Sequence, residues 1–269
     1  MASIGFIGAG MMAEAIISGM LKGGFAPGDI WGADPDAGRR AHMSGAYGIH
    51  ATGDNQEAAA QCGVLVLAVK PQYFSTAAAL LQPALTPDHR IISIMAGVTT
   101  GRLESELRYS GGESVLPVVR VMPNIPATVR AGITCLCAGS KASEEDVAFA
   151  KKIFLTVGSV ADMDESMIDA ATGIAGCGPA YIYMLIEALA DGGVLMGLPR
   201  QLAQRLAAGM VKGAAEMVLA DCGHPGELKD KVCSPGGATI AGVYSLEKSG
   251  LRGAVIEAVI AGAEKCKSL

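Results

Sequence analysis

The 269 residues, 51% hydrophobic and 17% charged, exclude a disordered chain and are enough for a large core and two domains. A formal net charge of −5 with no basic block argues against nucleic acid and acidic membrane surfaces as partners. Seven cysteines, an odd number with no C-x-x-C pair, point to reduced thiols in a cytoplasmic protein and not to a disulfide frame.

Ser3–Ile7 is a short apolar run that predicts a buried first strand. It leads into Gly8-Ala9-Gly10-Met11-Met12-Ala13, a G-x-G-x-x-A pattern opening a helical period that stops at Gly23-Gly24. In a dinucleotide fold Gly8 permits the tight turn, Gly10 admits the pyrophosphate and Ala13 lets the helix pack on the strand. Asp29–Ala33 predicts the second strand. Asp34 at its end would take the adenosine ribose hydroxyl of NAD, whereas Arg39 and Arg40 would suit the 2′-phosphate of NADP. The plain alternative for Asp34 is a helix N-cap followed by Pro35. Asn55, at the start of the next helix, is either a cofactor contact or a cap. Val64–Val69 predicts a buried strand whose end, Val69-Lys70-Pro71, should border the cofactor. Arg90–Met95 predicts another, ending in Ala96-Gly97, small residues suited to a wall beside the nicotinamide.

Val118–Val121, Ile133–Cys137 and Gly158–Ala161 complete the predicted strands, and Ser143-Glu144-Glu145-Asp146 reads as a capped helix start. Cys135 and Cys137 would share one strand face, which suits packing better than a metal, and no metal site is expected. Strands alternating with helices predict an α/β fold, a doubly wound parallel sheet over residues 1–162. Residues 163–269 carry only helical periods and predict an all-α domain. There Glu165–Thr172 reads as a short helix, and Gly176-Cys177-Gly178-Pro179 as a break. The helix Ala180–Met196 is apolar all round except for Glu187 and Asp191, which predicts a homodimer interface. Further helices start at Pro199 and Pro225, and Leu251–Leu269 closes the chain. No segment reads as membrane-spanning.

Ser234-Pro235-Gly236-Gly237-Ala238-Thr239 has the composition of an anion cradle: glycines that let N–H groups converge, ahead of a helix whose N-terminus favours negative charge. Its plain alternative is an ordinary turn and helix start. The four histidines, 42, 50, 89 and 224, fall in expected surface or turn positions with no evident carboxylate partner.

The chain resembles the Δ1-pyrroline-5-carboxylate reductase family over essentially its whole length. The carriers are Ile4-Gly5-Phe6-Ile7-Gly8-Ala9-Gly10, Ala68-Val69-Lys70-Pro71, Thr172-Gly173 through Gly178-Pro179-Ala180-Tyr181 and the long block from Pro225 to Gly242. The resemblance implies a Rossmann-like domain with an interlocking helical dimerisation domain, and dimers that assemble further. It implies NADPH or NADH at Ile7, Gly8, Ala9, Gly10, Met11, Met12, Asp34, Asn55, Val69, Lys70 and Ala96, and a small cyclic imine at Glu165, Thr172, Ala238 and Thr239. Many members carry a small hydroxyl residue where this chain has Asp34, so the choice of dinucleotide stays open.

The reaction so implied is hydride transfer to an imine carbon. Catalysis is then a matter of positioning: the N–H groups near Gly237, Ala238 and Thr239 take the substrate carboxylate, the Thr239 hydroxyl holds the carboxylate or ring nitrogen, and Glu165 favours a cationic ring. Two alternatives compete. A β-hydroxyacid dehydrogenase would use a lysine in the helix Ala180–Met196, which has none. A dinucleotide sensor would not need the cradle.

Overall fold

The computed structural model describes residues 3–109 and 115–267. It divides into two compact units, residues 1–176 with 261–269, and residues 177–260.

The first unit opens with β1 (Ile4–Ile7), α1 (Met11–Lys22), β2 (Ile30–Ala33), α2 (Ala37–Tyr47), β3 (His50–Thr52), α3 (Asn55–Gln61) and β4 (Val64–Leu67). It continues through α4 (Phe74–Leu81), β5 (Arg90–Ser93), α5 (Thr100–Glu106), β6 (Val118–Met122), β7 (Gly132–Ala138), α6 (Glu144–Phe154), β8 (Gly158–Asp162) and α7 (Ile168–Ala171). The strands form one sheet in the order β3-β2-β1-β4-β5-β6-β7-β8. Helices cover both faces, because side chains alternate along each strand. Ile4, Phe6, Val64 and Val66 face Ile16, Ile17, Met20 and Phe154 of α1 and α6. Ile7, Leu65 and Leu67 face Ala58, Phe74, Ala78 and Leu103 of α3, α4 and α5. The predicted doubly wound architecture is present.

Two strand features depart from the expectation. β3 pairs in parallel with β2 and was not predicted; three residues are too few to display an alternation. The sheet is also not wholly parallel, since β7 runs antiparallel to β6 and β8 runs parallel to β7. The link between β6 and β7, residues 123–131, is shorter than the dozen or so residues a parallel crossover needs. α6 supplies a full crossover between β7 and β8, and its start is the expected capping box of Ser143 and Asp146.

Cys135 and Cys137 project together from β7 into a small cluster with Ile168, Met122, Met163 and Ala171, so this face packs as predicted. Burial pushes the Cys137 thiol up to about 11, which keeps it protonated and inert.

Helices make up the second unit: α8 (Gly178–Leu195), α9 (Arg200–Leu219), α10 (Pro225–Val232), α11 (Ala238–Lys248) and most of α12 (Leu251–Lys267). Residues 268–269 lie outside the described residues. Small side chains let α8 and α9 approach closely; a Cβ on Gly193 would stand 3.1 Å from that of Ala203. Few large apolar side chains find cover here. Tyr183, Met184, Leu206 and Met210 are each more than half exposed.

Gly176–Pro179 is not the break that was expected. Thr172–Gly176 forms a π-helical turn, which carries the helix onward. The run Glu165–Leu195 is thereby 31 residues of helix with a window of mean hydropathy 1.3. By length and composition it could cross a membrane, contrary to the expectation that no segment would.

Candidate active site

The carboxyl ends of β1 and β4 lie side by side where the strand order turns back, the usual place for a dinucleotide in an open sheet. Ala68 N–H donates to the Ile7 carbonyl and Gly8 N–H to the Ala33 carbonyl, both at 2.8 Å. These bonds bring the glycine loop level with Asp34 and with Val69-Lys70-Pro71. Ile94 N–H, bonded to the Leu67 carbonyl at 3.1 Å, aligns the segment leading to Ala96 and Gly97 with the same edge.

The two loop glycines do different work. Gly8 adopts φ +94°, and a Cβ there would sit 2.8 Å from the Ala68 carbonyl oxygen. Gly10 has an ordinary extended backbone and no atom within 4 Å of an added Cβ. The space before it is open, as the approach of a pyrophosphate requires. Gly10 is also the N-cap of α1 and offers no side chain, and the first helical bond runs from Glu14 N–H to Gly10. The N–H groups of Met11 and Met12 therefore lack an acceptor in their helix, as a pyrophosphate site requires. Ile7 is fully buried and Ala9 nearly so, while the Met11 side chain is exposed. The residues present thus fit a nicotinamide dinucleotide.

Asp34 is not a helix cap. Asp36 caps α2, accepting the Arg39 N–H at 2.6 Å. The Asp34 carboxylate instead accepts the Ala9 N–H and the Asp36 N–H, each at 2.9 Å. Asp54 caps α3 by accepting the Gln56 N–H, which leaves the Asn55 side chain out of that role.

Glu165 is bound on both oxygens. One accepts the Thr100 N–H at 2.7 Å and the Arg120 guanidinium at 3.0 Å; the other accepts the Thr100 hydroxyl at 2.6 Å. Arg120 projects from β6, is 3% exposed, and has Asp169 as a second anion at 3.6 Å. Partial burial acts to raise the Glu165 carboxyl, but the Thr100 donors and Arg120 outweigh it and hold the group below the usual range. Thr172 is buried, and its hydroxyl donates to the Ile168 carbonyl at 2.7 Å. Glu165→Ala would leave the Arg120 cation buried with only the longer Asp169 contact. The expected cost is about 3 kcal/mol of stability, read as a lower denaturation midpoint. The sign with pH follows from the lowered carboxyl. The stabilisation is complete above the unfolded value near 4.5 and is lost as pH falls through the folded one.

Arg120 and Thr100 escaped the sequence reading. A charged residue inside the apolar run Val118-Val119-Arg120-Val121 was the available signal, since a buried cation demands a partner. Two of the histidines, His42 and His89, differ from expectation, while His50 and His224 are exposed as expected. His42 meets the Glu14 carboxylate at 2.7 Å, His89 is buried between Thr86 and the Ala59 carbonyl, and His50 stacks on Trp31. His224 caps α10 through Nδ1.

In the second unit, Gly236 turns the chain at φ +67° and Gly237 N–H closes the turn on the Ser234 carbonyl at 3.0 Å. Gly237 is then the N-cap of α11, and no side chain caps the helix. Ala238 and Thr239 are exposed at its first turn, so their N–H groups and the Thr239 hydroxyl are open to an anion. A cavity of about 550 Å³ opens elsewhere in the first unit, beside Cys137, Lys151, Asp162, Asp164 and Glu165. None of the glycine-loop residues lines it, so its size does not make it the dinucleotide site.

A family model described as pyrroline-5-carboxylate reductase dimerisation matches residues 165–269, and one described as NADP oxidoreductase coenzyme F420-dependent matches residues 3–97. The pyrroline-5-carboxylate reductase of Synechocystis is 45% identical over 99% of this chain and 97% of its own. The chain belongs to the pyrroline-5-carboxylate reductase family. Two solved structures of reductases so named superpose along its length. That from Coxiella burnetii has a TM-score of 0.90 at 33% identity, covering 99% of this chain and 98% of its own. That from Plasmodium falciparum, with NADP bound, has a TM-score of 0.88 at 33% identity, covering 99% and 97%. The dimerisation model spans the helices whose apolar faces lie uncovered, and this dimerisation domain makes the chain part of a homo-oligomer.

Proposed function

We propose that this chain reduces Δ1-pyrroline-5-carboxylate to L-proline with NADPH or NADH, the last step of proline biosynthesis, as a cytoplasmic homodimer that builds a larger assembly of dimers. One observation carries the substrate assignment. The long family block from Pro225 to Gly242 folds into an open, uncapped helix N-terminus, a site for a small carboxylate. The reduced nicotinamide supplies a hydride to the imine carbon.

The chain's own residues hold and orient. The N–H groups of Ala238 and Thr239 take the carboxylate, with Gly237 allowing its approach, and the Thr239 hydroxyl fixes the ring nitrogen or the carboxylate. If the imine binds protonated, its nitrogen keeps that proton as the carbon accepts the hydride, and no side-chain acid has to donate. In this reading Glu165 and Thr172, as the family resemblance implies, belong to the wall of the substrate site. Glu165, neutralised by Arg120, ties that wall to Thr100, which follows Ala96-Gly97 in the chain. Val69, Lys70, Pro71, Ala96 and Gly97 border the dinucleotide, and Asn55 stays available to its ribose.

Oxidation of NADH and of NADPH, each measured with pyrroline-5-carboxylate, tests this. Rapid oxidation with at least one is expected. Binding of both without turnover would instead indicate a dinucleotide sensor. A β-hydroxyacid dehydrogenase is disfavoured because α8 contains no lysine.

A further inference from the structure

The groups around the glycine loop form a network that a dinucleotide fold does not need for its pyrophosphate. Arg39 donates its Nε–H to the Ala9 carbonyl, and its Nη2 to the Gly10 carbonyl at 3.3 Å and to the Glu14 carboxylate. Glu14 also takes His42 Nε2 at 2.7 Å and the Tyr47 hydroxyl at 2.8 Å. Partial burial acts to raise this carboxyl, but its three donors bring it down to about 2, so it stays an anion. Arg40 donates to the carbonyls of Asp34 and Pro35, both at 2.8 Å. Asp34 itself is fixed by two backbone N–H groups.

NADPH differs from NADH by a phosphate on the adenosine ribose, which binds at the end of β2. That phosphate needs a cation there, and it is repelled by a carboxylate. The two arginines near this place are both turned onto other acceptors, and the charge of Arg39 is already matched by Glu14. Arg40 forms no ion pair among the described residues, but its guanidinium is turned onto the Asp34 and Pro35 carbonyls, and the fixed Asp34 anion stands beside it to repel a phosphate. We infer that Glu14 is a specificity-determining residue: by holding Arg39 on the glycine loop it withholds the cation a 2′-phosphate would use, and with Asp34 it makes the chain favour NADH.

This inference rests on the proposed dinucleotide site, and a binding measurement separates the two. NADH and NADPH are titrated calorimetrically into the full-length protein and its variants, with thermal melts to confirm folding. The wild type should bind NADH about tenfold tighter or more. Glu14→Gln should move the ratio of the two affinities toward NADPH by about threefold, and further on an Asp34→Ser background, where no anion repels the phosphate. Adding Arg39→Gln to that double variant should erase the gain. An equal loss for both dinucleotides in Glu14→Gln, or a wild type that binds NADPH as tightly as NADH, overturns the inference while leaving the proposed reaction intact. Failure of the wild type to bind either one overturns the dinucleotide site itself. If Glu14→Gln does not fold, Arg39→Gln in the wild type tests the same claim. A matched and turned-away cation contributes equally to both affinities, so a selective loss of NADPH binding would count against it.

Discussion

Gly10→Val is expected to fold as the wild type does and to weaken binding of NADH and NADPH by about a hundredfold or more. The backbone of Gly10, at φ −67° and ψ −176°, suits any residue, and an added Cβ meets no protein atom within 4 Å. The penalty therefore falls on the complex alone, where a branched side chain would occupy the approach of the pyrophosphate. Gly8→Ala should do the reverse. Its Cβ would press on the Ala68 carbonyl from a backbone at φ +94°, so the fold is what suffers. Melting curves and calorimetric titration of both variants separate these outcomes. Retention of near-wild-type affinity by Gly10→Val would move the pyrophosphate away from this loop.

Thr239→Ala should lower kcat/KM for pyrroline-5-carboxylate by about ten- to a hundredfold while leaving dinucleotide affinity unchanged. The hydroxyl stands at the first turn of α11, exposed and with no hydrogen bond to another described residue, so its removal leaves no buried group unsatisfied. Thr239→Ser keeps the hydroxyl and should recover most of the loss. An unaltered kcat/KM in Thr239→Ala would take this residue out of the site, whereas a parallel loss of dinucleotide binding would show that the change is not local.

Most of the first unit could be read from the sequence because its signals are local. Ile4–Ile7 runs straight into the glycine loop, and Val64–Leu67 is wholly apolar, so each strand and its ligand-bearing end announce themselves within a few residues. The reversal of β7 was legible as well, in the shortness of the link from Met122, but only by counting chain length instead of composition. Pairings across long separations were not legible. Arg120 to Glu165 spans 45 residues and Arg39 to Glu14 spans 25; the apolar run around Arg120 signals a buried cation and Arg39 looks solvated, but neither names its partner. Gly176-Cys177-Gly178-Pro179 misled for another reason. Glycine and proline interrupt ordinary helical hydrogen bonding, but the π turn absorbs the interruption without ending the helix. Asn124 takes part in that accommodation, donating to the Ala175 carbonyl at 2.9 Å.

The uncapped start of α11 has a thermodynamic side. A helix that begins at a glycine has no side chain of its N-cap to accept its first N–H groups. If the substrate carboxylate settles there, it is the missing cap, and secondary structure is completed by a small molecule. A substitution that capped this helix from within, such as an aspartate in place of Gly237, would first have to displace the Ser234 hydroxyl that its Cβ meets, and would leave a poorer enzyme.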